Sequence, residues 1–138
     1  MQRVAWFAIR CYNMHTMERI EFEDLVAEAM EALPEEFKNQ MDNVEIVVQD
    51  WPNRETMRQA GVRHPSQLLG FYHGVPLTER GQAYYLVLPD KISIYRGPIL
   101  MHARTPEQVR QTVQRVVRHE MVQYRERYRR IATRCAAA

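Results

Sequence analysis

Cysteine, glycine and long apolar runs are all scarce in this chain of 138 residues. Its two cysteines, Cys11 and Cys135, stand near opposite ends. So sparse a set excludes a disulfide framework and fits a reduced, cytoplasmic protein. The five glycines form no Gly-rich phosphate loop. No apolar run approaches the roughly 20 residues that cross a bilayer, and no membrane role is expected. The early run at residues 4–9 is too short for a secretory signal and lacks a small-residue cleavage site.

What is present reads as one compact domain with one core. Hydrophobic residues make up 46% and charged residues 26%, close to a globular average, which excludes collagen-like and wholly disordered chains. The net charge of +2 hides a split. Residues 1–103 carry 10 Lys/Arg against 14 Asp/Glu, and residues 104–138 carry 9 against 3. That split fits either a basic surface for an acidic partner or two solvated helices of opposite charge.

The first sixteen residues show no clear period, and residues 1–17 are expected to form a flexible leader. From Glu18 the pattern turns helical: Phe22, Leu25, Val26, Ala29 and Leu33 recur at spacings of three and four. Leu33-Pro34 then breaks it, and Pro34-Glu35-Glu36 suits the start of a second short helix. Asp42-Asn43 signals a turn before the β-branched strand VEIVVQD, residues 44–50. The polar stretch 51–67, with Pro52, Gly61 and Pro65, is expected to be a long connection. YYLVL (84–88) and ISIYR (92–96), separated by Pro89-Asp90, predict an adjacent strand pair, ended by Gly97-Pro98. Thr105 as N-cap and Pro106 in the first turn open a long helix. Its stripe is Val109, Val113, Val116, Val117, Met121, Tyr124, Tyr128 and Ile131. Helices, small sheet and long final helix together predict an α+β domain over residues 18–124, with 125–138 as a basic extension of the last helix.

Chemistry concentrates at His119-Glu120, with Gln123 four residues after the histidine. In H-E-x-x-H zinc hydrolases, residues i and i+4 share one helix face, so two imidazoles hold Zn²⁺ while the glutamate polarises its water. Here an amide stands at the second ligand position.

Three segments, residues 22–52, LLGFYHGVPLTERG (68–81) and LPDKISIYRGPIL (88–100), resemble the small bacterial zincin-like metallopeptidase family. The resemblance covers about residues 20 to 121. It implies a zincin-like single α+β domain with N-terminal helices, a small mixed β-sheet and a long C-terminal helix bearing the His-Glu pair. Members end that helix in a pattern like T-V-x-H-E-x-x-H-H-F-G-I-D-D. Counted without gaps, its first histidine falls on His119, the single retained metal ligand, and its glutamate on Glu120, the general base if the protein is active. The second histidine falls on Gln123, the next on Tyr124, the turn glycine on Glu126 and the completing acid on Arg129. A shifted alignment puts the second histidine on His119, but then Arg115 and Val116 occupy the first histidine and glutamate positions.

Neither alignment restores three ligands, so no zinc cofactor is expected. The expected protein is a catalytically inactive family member with a binding or scaffold role toward a protein or peptide. Two alternatives stand beside it. One is an active zinc-dependent hydrolase that draws ligands from elsewhere, such as His73, His102 or a neighbouring subunit. The other is an interaction module using the basic helix that carries Arg125, Arg127, Arg129, Arg130 and Arg134, which could also mediate self-association. Aromatic platforms and motifs for nucleic acid are lacking.

The remaining candidates have plainer readings. His15, His64, His73 and His102 share no ligand spacing. Glu79 and Arg80 suit pairing with each other, Asp90 a turn, and Ser93 lacks a nucleophile's context. Cys11 and Cys135 show no catalytic setting.

Overall fold

A computed structural model describes residues 17–41, 44–74 and 90–137, with backbone alone for Tyr128 and residues 131–137. The leader before Met17, the Asp42-Asn43 turn, and Glu79, Arg80 and the YYLVL segment lie outside the described residues.

Helix α1 (Arg19–Glu31) buries Phe22, Val26 and Ala29, the three-and-four stripe expected from the sequence. The break at Leu33-Pro34 is there, and α2 (Glu35–Lys38) follows with both glutamates in its first turn and Phe37 inward. Strand β1 (Val44–Gln49) comes next. The expected long connection is largely ordered instead. Asn53 caps α3 (Arg54–Ala60) by accepting from the Thr56 amide at 2.8 Å, and Gly61 ends it with φ 73°. Asn at the start and a left-handed glycine at the end supply the groups a short helix leaves unsatisfied. Its few apolar residues kept its helical period hidden.

After a 3₁₀ turn at Pro65–Gln67, β2 (Gly70–His73) and β3 (Asp90–Tyr95) form a three-stranded sheet with β1, in the order β1-β3-β2. β1 runs parallel to β3, with Val44 opposite Asp90 and Gln49 opposite Tyr95. β2 runs antiparallel to it, with Gly70 opposite Ile94 and His73 opposite Lys91. Both flanks of β3 are therefore taken by β1 and β2. The strand expected at Ile92–Arg96 forms, but its neighbours in the described sheet come from residues 44–49 and 70–73.

Gly97-Pro98 follows β3 and sits inside α4 (Arg96–His102). A proline in a first turn gives up only an amide that has no intrahelical partner, so it starts this helix without cost. Helix α5 (Pro106–Ala137) is the longest element, at 32 residues. Thr105 Oγ1 accepts from the Gln108 amide at 3.1 Å, while Gln108 Oε1 accepts from the Arg104 amide at 2.7 Å. The cap thus satisfies donors in both directions.

The core lies between the sheet and the α1–α5 layer. Phe22, Ile92, Ile94, Ile99, Val113, Val117 and Met121 are all fully buried. Each contributes about 1.5–3 kcal/mol through removal from water. The α5 stripe from Val109 to Tyr124 is buried as its spacing predicts. α1 and α5 pack together, and Arg110 meets Glu28 at 3.4 Å across their surface. Among the described residues no helix is long and apolar enough to cross a membrane.

Candidate functional site

The middle of α5 lies beside β2, one of the two outer strands of the described sheet. Gly70 makes this closeness attainable. A Cβ built there would stand 2.6 Å from Val116 Cγ1 and 3.4 Å from Glu120 Cγ, so a side chain would force strand and helix apart. β2 bonds to β3 through its odd-numbered residues, as the Tyr95 amide does to the Leu69 carbonyl at 3.0 Å. The amides and carbonyls of Gly70 and Tyr72 consequently point away from β3.

Between these elements is a cleft of about 540 Å³. The α5 residues facing it are Arg115, Val116, His119, Glu120 and Gln123. Arg115, His119 and Gln123 are successive positions at i, i+4 and i+8, so they form one row along the helix. His119 and Gln123 are exposed, whereas Glu120 is 8% exposed. The Glu120 carboxylate accepts from the Tyr72 backbone amide. Burial pushes its pKa above the usual 4.5, with the neighbouring His119 charge and the Tyr72 hydrogen bond opposing the shift.

Tyr124, expected from the sequence at the family's following histidine position, is buried and packs edge-on against the Tyr72 ring at 5.9 Å. It belongs to the core behind the cleft. α5 continues without a break through Glu126 and Arg129, and Arg129 is exposed.

The histidines scatter. His73 points to the opposite face of β2 from Tyr72, as strand alternation requires. There its Nε2 lies 3.0 Å from the buried Ser93 Oγ, and Phe71 packs on its ring at 4.8 Å. Burial, and then the Lys91 charge, lower its pKa below 6.5. Tyr95 joins the same layer through hydrogen bonds to Ser93 and Thr56, and burial raises its pKa. Ser93 is thus a structural hydrogen-bonding group beneath the sheet. Asp90, expected as a turn former, instead opens β3; it is buried and accepts from the Tyr72 hydroxyl at 2.7 Å. His102 Nε2 lies 2.9 Å from the Ser66 carbonyl at the rim of a second cavity, and His64 is exposed beside the 3₁₀ turn. Among the described residues no three His, Cys, Asp or Glu side chains converge as a metal-ligand group. Cys11 and His15 lie outside the described residues, as does the side chain of Cys135.

The basic arm begins packed on its own domain. Arg125 meets Glu36 at 3.1 Å and lies over the Phe37 ring at 5.3 Å. Arg127 lies over Tyr72 at 5.9 Å.

Sequence reasoning did not find Gly70 or Tyr72 as cleft residues, because nothing local pairs residue 70 with residue 116. Arg115 was visible as the residue four before His119, a spacing that places both on one helix face.

No curated protein matches this chain. A solved structure of a conserved hypothetical protein from Thermus thermophilus shares the fold, with a TM-score of 0.52 and 24% sequence identity over 85% of this chain and 99% of that one. The model of the zincin-like metallopeptidase family matches residues 41–126, which include β2, the cleft and the His119-Glu120 pair, and the chain belongs to that family.

Proposed function

We propose that this protein is a zincin-like domain whose metal centre is incomplete, and that its cleft serves binding instead of peptide hydrolysis. The observation that carries this reading is the row Arg115, His119, Gln123 along the cleft side of α5. Hydrolytic zinc sites use three protein ligands and keep one position for water. This row offers one imidazole, one amide that ligates zinc poorly, and one permanent cation. The donor set does not fit the ion. The unbroken helix adds support, since Arg129 stays on α5 and that residue is itself cationic.

Metal content measured by plasma mass spectrometry on protein purified without chelator is expected to fall far below one zinc per chain. Gln123→His is expected to leave it there, because a third ligand is still missing. Stoichiometric zinc that disappears in His119→Ala would overturn the proposal.

One observation favours the hydrolase reading: Glu120 sits beside His119, is buried and has a raised pKa, as a general base does. Its carboxylate, however, is already engaged by the Tyr72 amide. A hydrolase would also need two further ligands, and His73 and His102 are tied to Ser93 and Ser66. Zinc-dependent cleavage of a casein or peptide library, abolished in Glu120→Gln, would establish this alternative.

A further inference from the structure

A second cavity of about 540 Å³ adjoins the cleft, and Arg115 lines both. The second cavity is also lined by Arg104, His102, Gln108, Gln111 and Thr112. Its described lining therefore consists of cations and neutral hydrogen-bonding groups, with no carboxylate among the described residues. Among the described residues lining the cleft the one carboxylate is Glu120, buried and hydrogen-bonded by the Tyr72 amide. Neither Arg115 nor Arg104 has an ion-pair partner among the described residues, whereas Arg19, Arg96, Arg110 and Arg125 are each paired. These two guanidiniums thus line neighbouring cavities that share Arg115. The first turns of α5 add the positive end of a 32-residue helix to these cavities.

The cleft itself is of mixed character. Leu68 and Leu69 supply apolar surface next to Gly70. Apolar surface, strand backbone and a guanidinium in one groove suit an extended peptide that carries a carboxylate better than a free inorganic anion, which would leave the apolar part uncovered.

We infer that the cleft and its neighbouring cavity bind an acidic peptide segment, with Arg115 clasping a carboxylate where the two meet and Arg104 receiving a second one beyond it. This deepens the binding role proposed above and rests on it. Arg115 would then be the permanent positive charge of the groove.

The test is calorimetric titration of the full chain with the hexapeptide acetyl-Ala-Leu-Phe-Ala-Glu-Glu, and with its analogue ending in two glutamines and an amide. The acidic peptide is expected to bind at least about tenfold more tightly than the analogue. Arg115→Gln is expected to erase most of that difference and Arg104→Gln part of it. Arg118→Gln, an equal loss of charge on an exposed α5 residue outside both cavities, is expected to leave it unchanged. Equal affinity for both peptides would overturn the inference, as would equal weakening by Arg118→Gln. Complete displacement of the peptide by inorganic phosphate or oligothymidylate at equal concentration would assign the site to another anion and overturn it too. A zinc assay on the same preparation separates the two ideas. Zinc-free protein indifferent to Arg115→Gln sinks this inference alone. Stoichiometric zinc, with peptide binding lost in His119→Ala, sinks the reading beneath it.

Discussion

Gly70 and Glu120 illustrate how single residues shape the cleft. The missing side chain at Gly70 lets β2 approach Val116, and the approach brings the Tyr72 amide to the Glu120 carboxylate. Gly70→Ala places a methyl 2.6 Å from Val116 Cγ1, well inside van der Waals contact. Overpacking of this kind costs about 1–3 kcal/mol. The expected result is a lowered urea midpoint, with part of the loss recovered in Gly70→Ala/Val116→Ala, where the obstructing methyl is gone. Failure of the double variant to recover would mean that the strand backbone, and not the Val116 contact, sets the cost.

The long helix shows what an element contributes beyond its residues. Its N-terminus is held by the reciprocal bonds of Thr105 with Gln108 and of Gln108 with Arg104. Its buried stripe then runs along the sheet and α1 and sets the rotation of the whole helix. That rotation decides that Val113, Val117 and Met121 point to the core while Arg115, His119 and Gln123 face the cleft. Thr105→Ala removes a side-chain acceptor from the first turn and is expected to cost about 1 kcal/mol in chemical unfolding. Thr105→Ser keeps the oxygen and is expected to lose little. An equal loss in both variants would place the cost in the threonine methyl instead.

At the scale of the whole molecule, burial of two titratable groups makes stability depend on pH in opposite senses. Glu120 has a raised pKa in the folded protein, so the native state holds its proton over the interval from 4.5 up to the raised value. Its contribution is fully present below 4.5 and is lost as pH rises through that interval. His73 has a lowered pKa, so the unfolded chain binds the extra proton between the lowered value and 6.5. Its contribution is present above 6.5 and is lost as pH falls. The unfolding free energy of Glu120→Gln, relative to the parent, is therefore expected to rise as pH increases from 4.5. A difference that stays flat across that interval would show that Glu120 ionises in the fold as freely as in the unfolded chain.

Much of the architecture was legible in the linear order of residues because its causes are local. The three-and-four stripes of α1 and α5, the Leu33-Pro34 break, the β-branched run of β1 and the Thr105-Pro106 start each act within a few positions. The family likeness of residues 68–81 and 88–100, and the amide at Gln123 four residues after His119, were equally readable there. The tertiary structure decided the rest. It set β1 and β2 on the two flanks of β3, buried Asp90 and Ser93 as hydrogen-bonding partners of Tyr72 and His73, and sent His73 away from the cleft. It also put Arg115 between two cavities. These outcomes depend on contacts between residues dozens of positions apart, such as 70 with 116 and 72 with 120, and no local propensity encodes such distances. They arise only when the apolar stripes are buried together and the chain's polar groups must find partners in the space that remains.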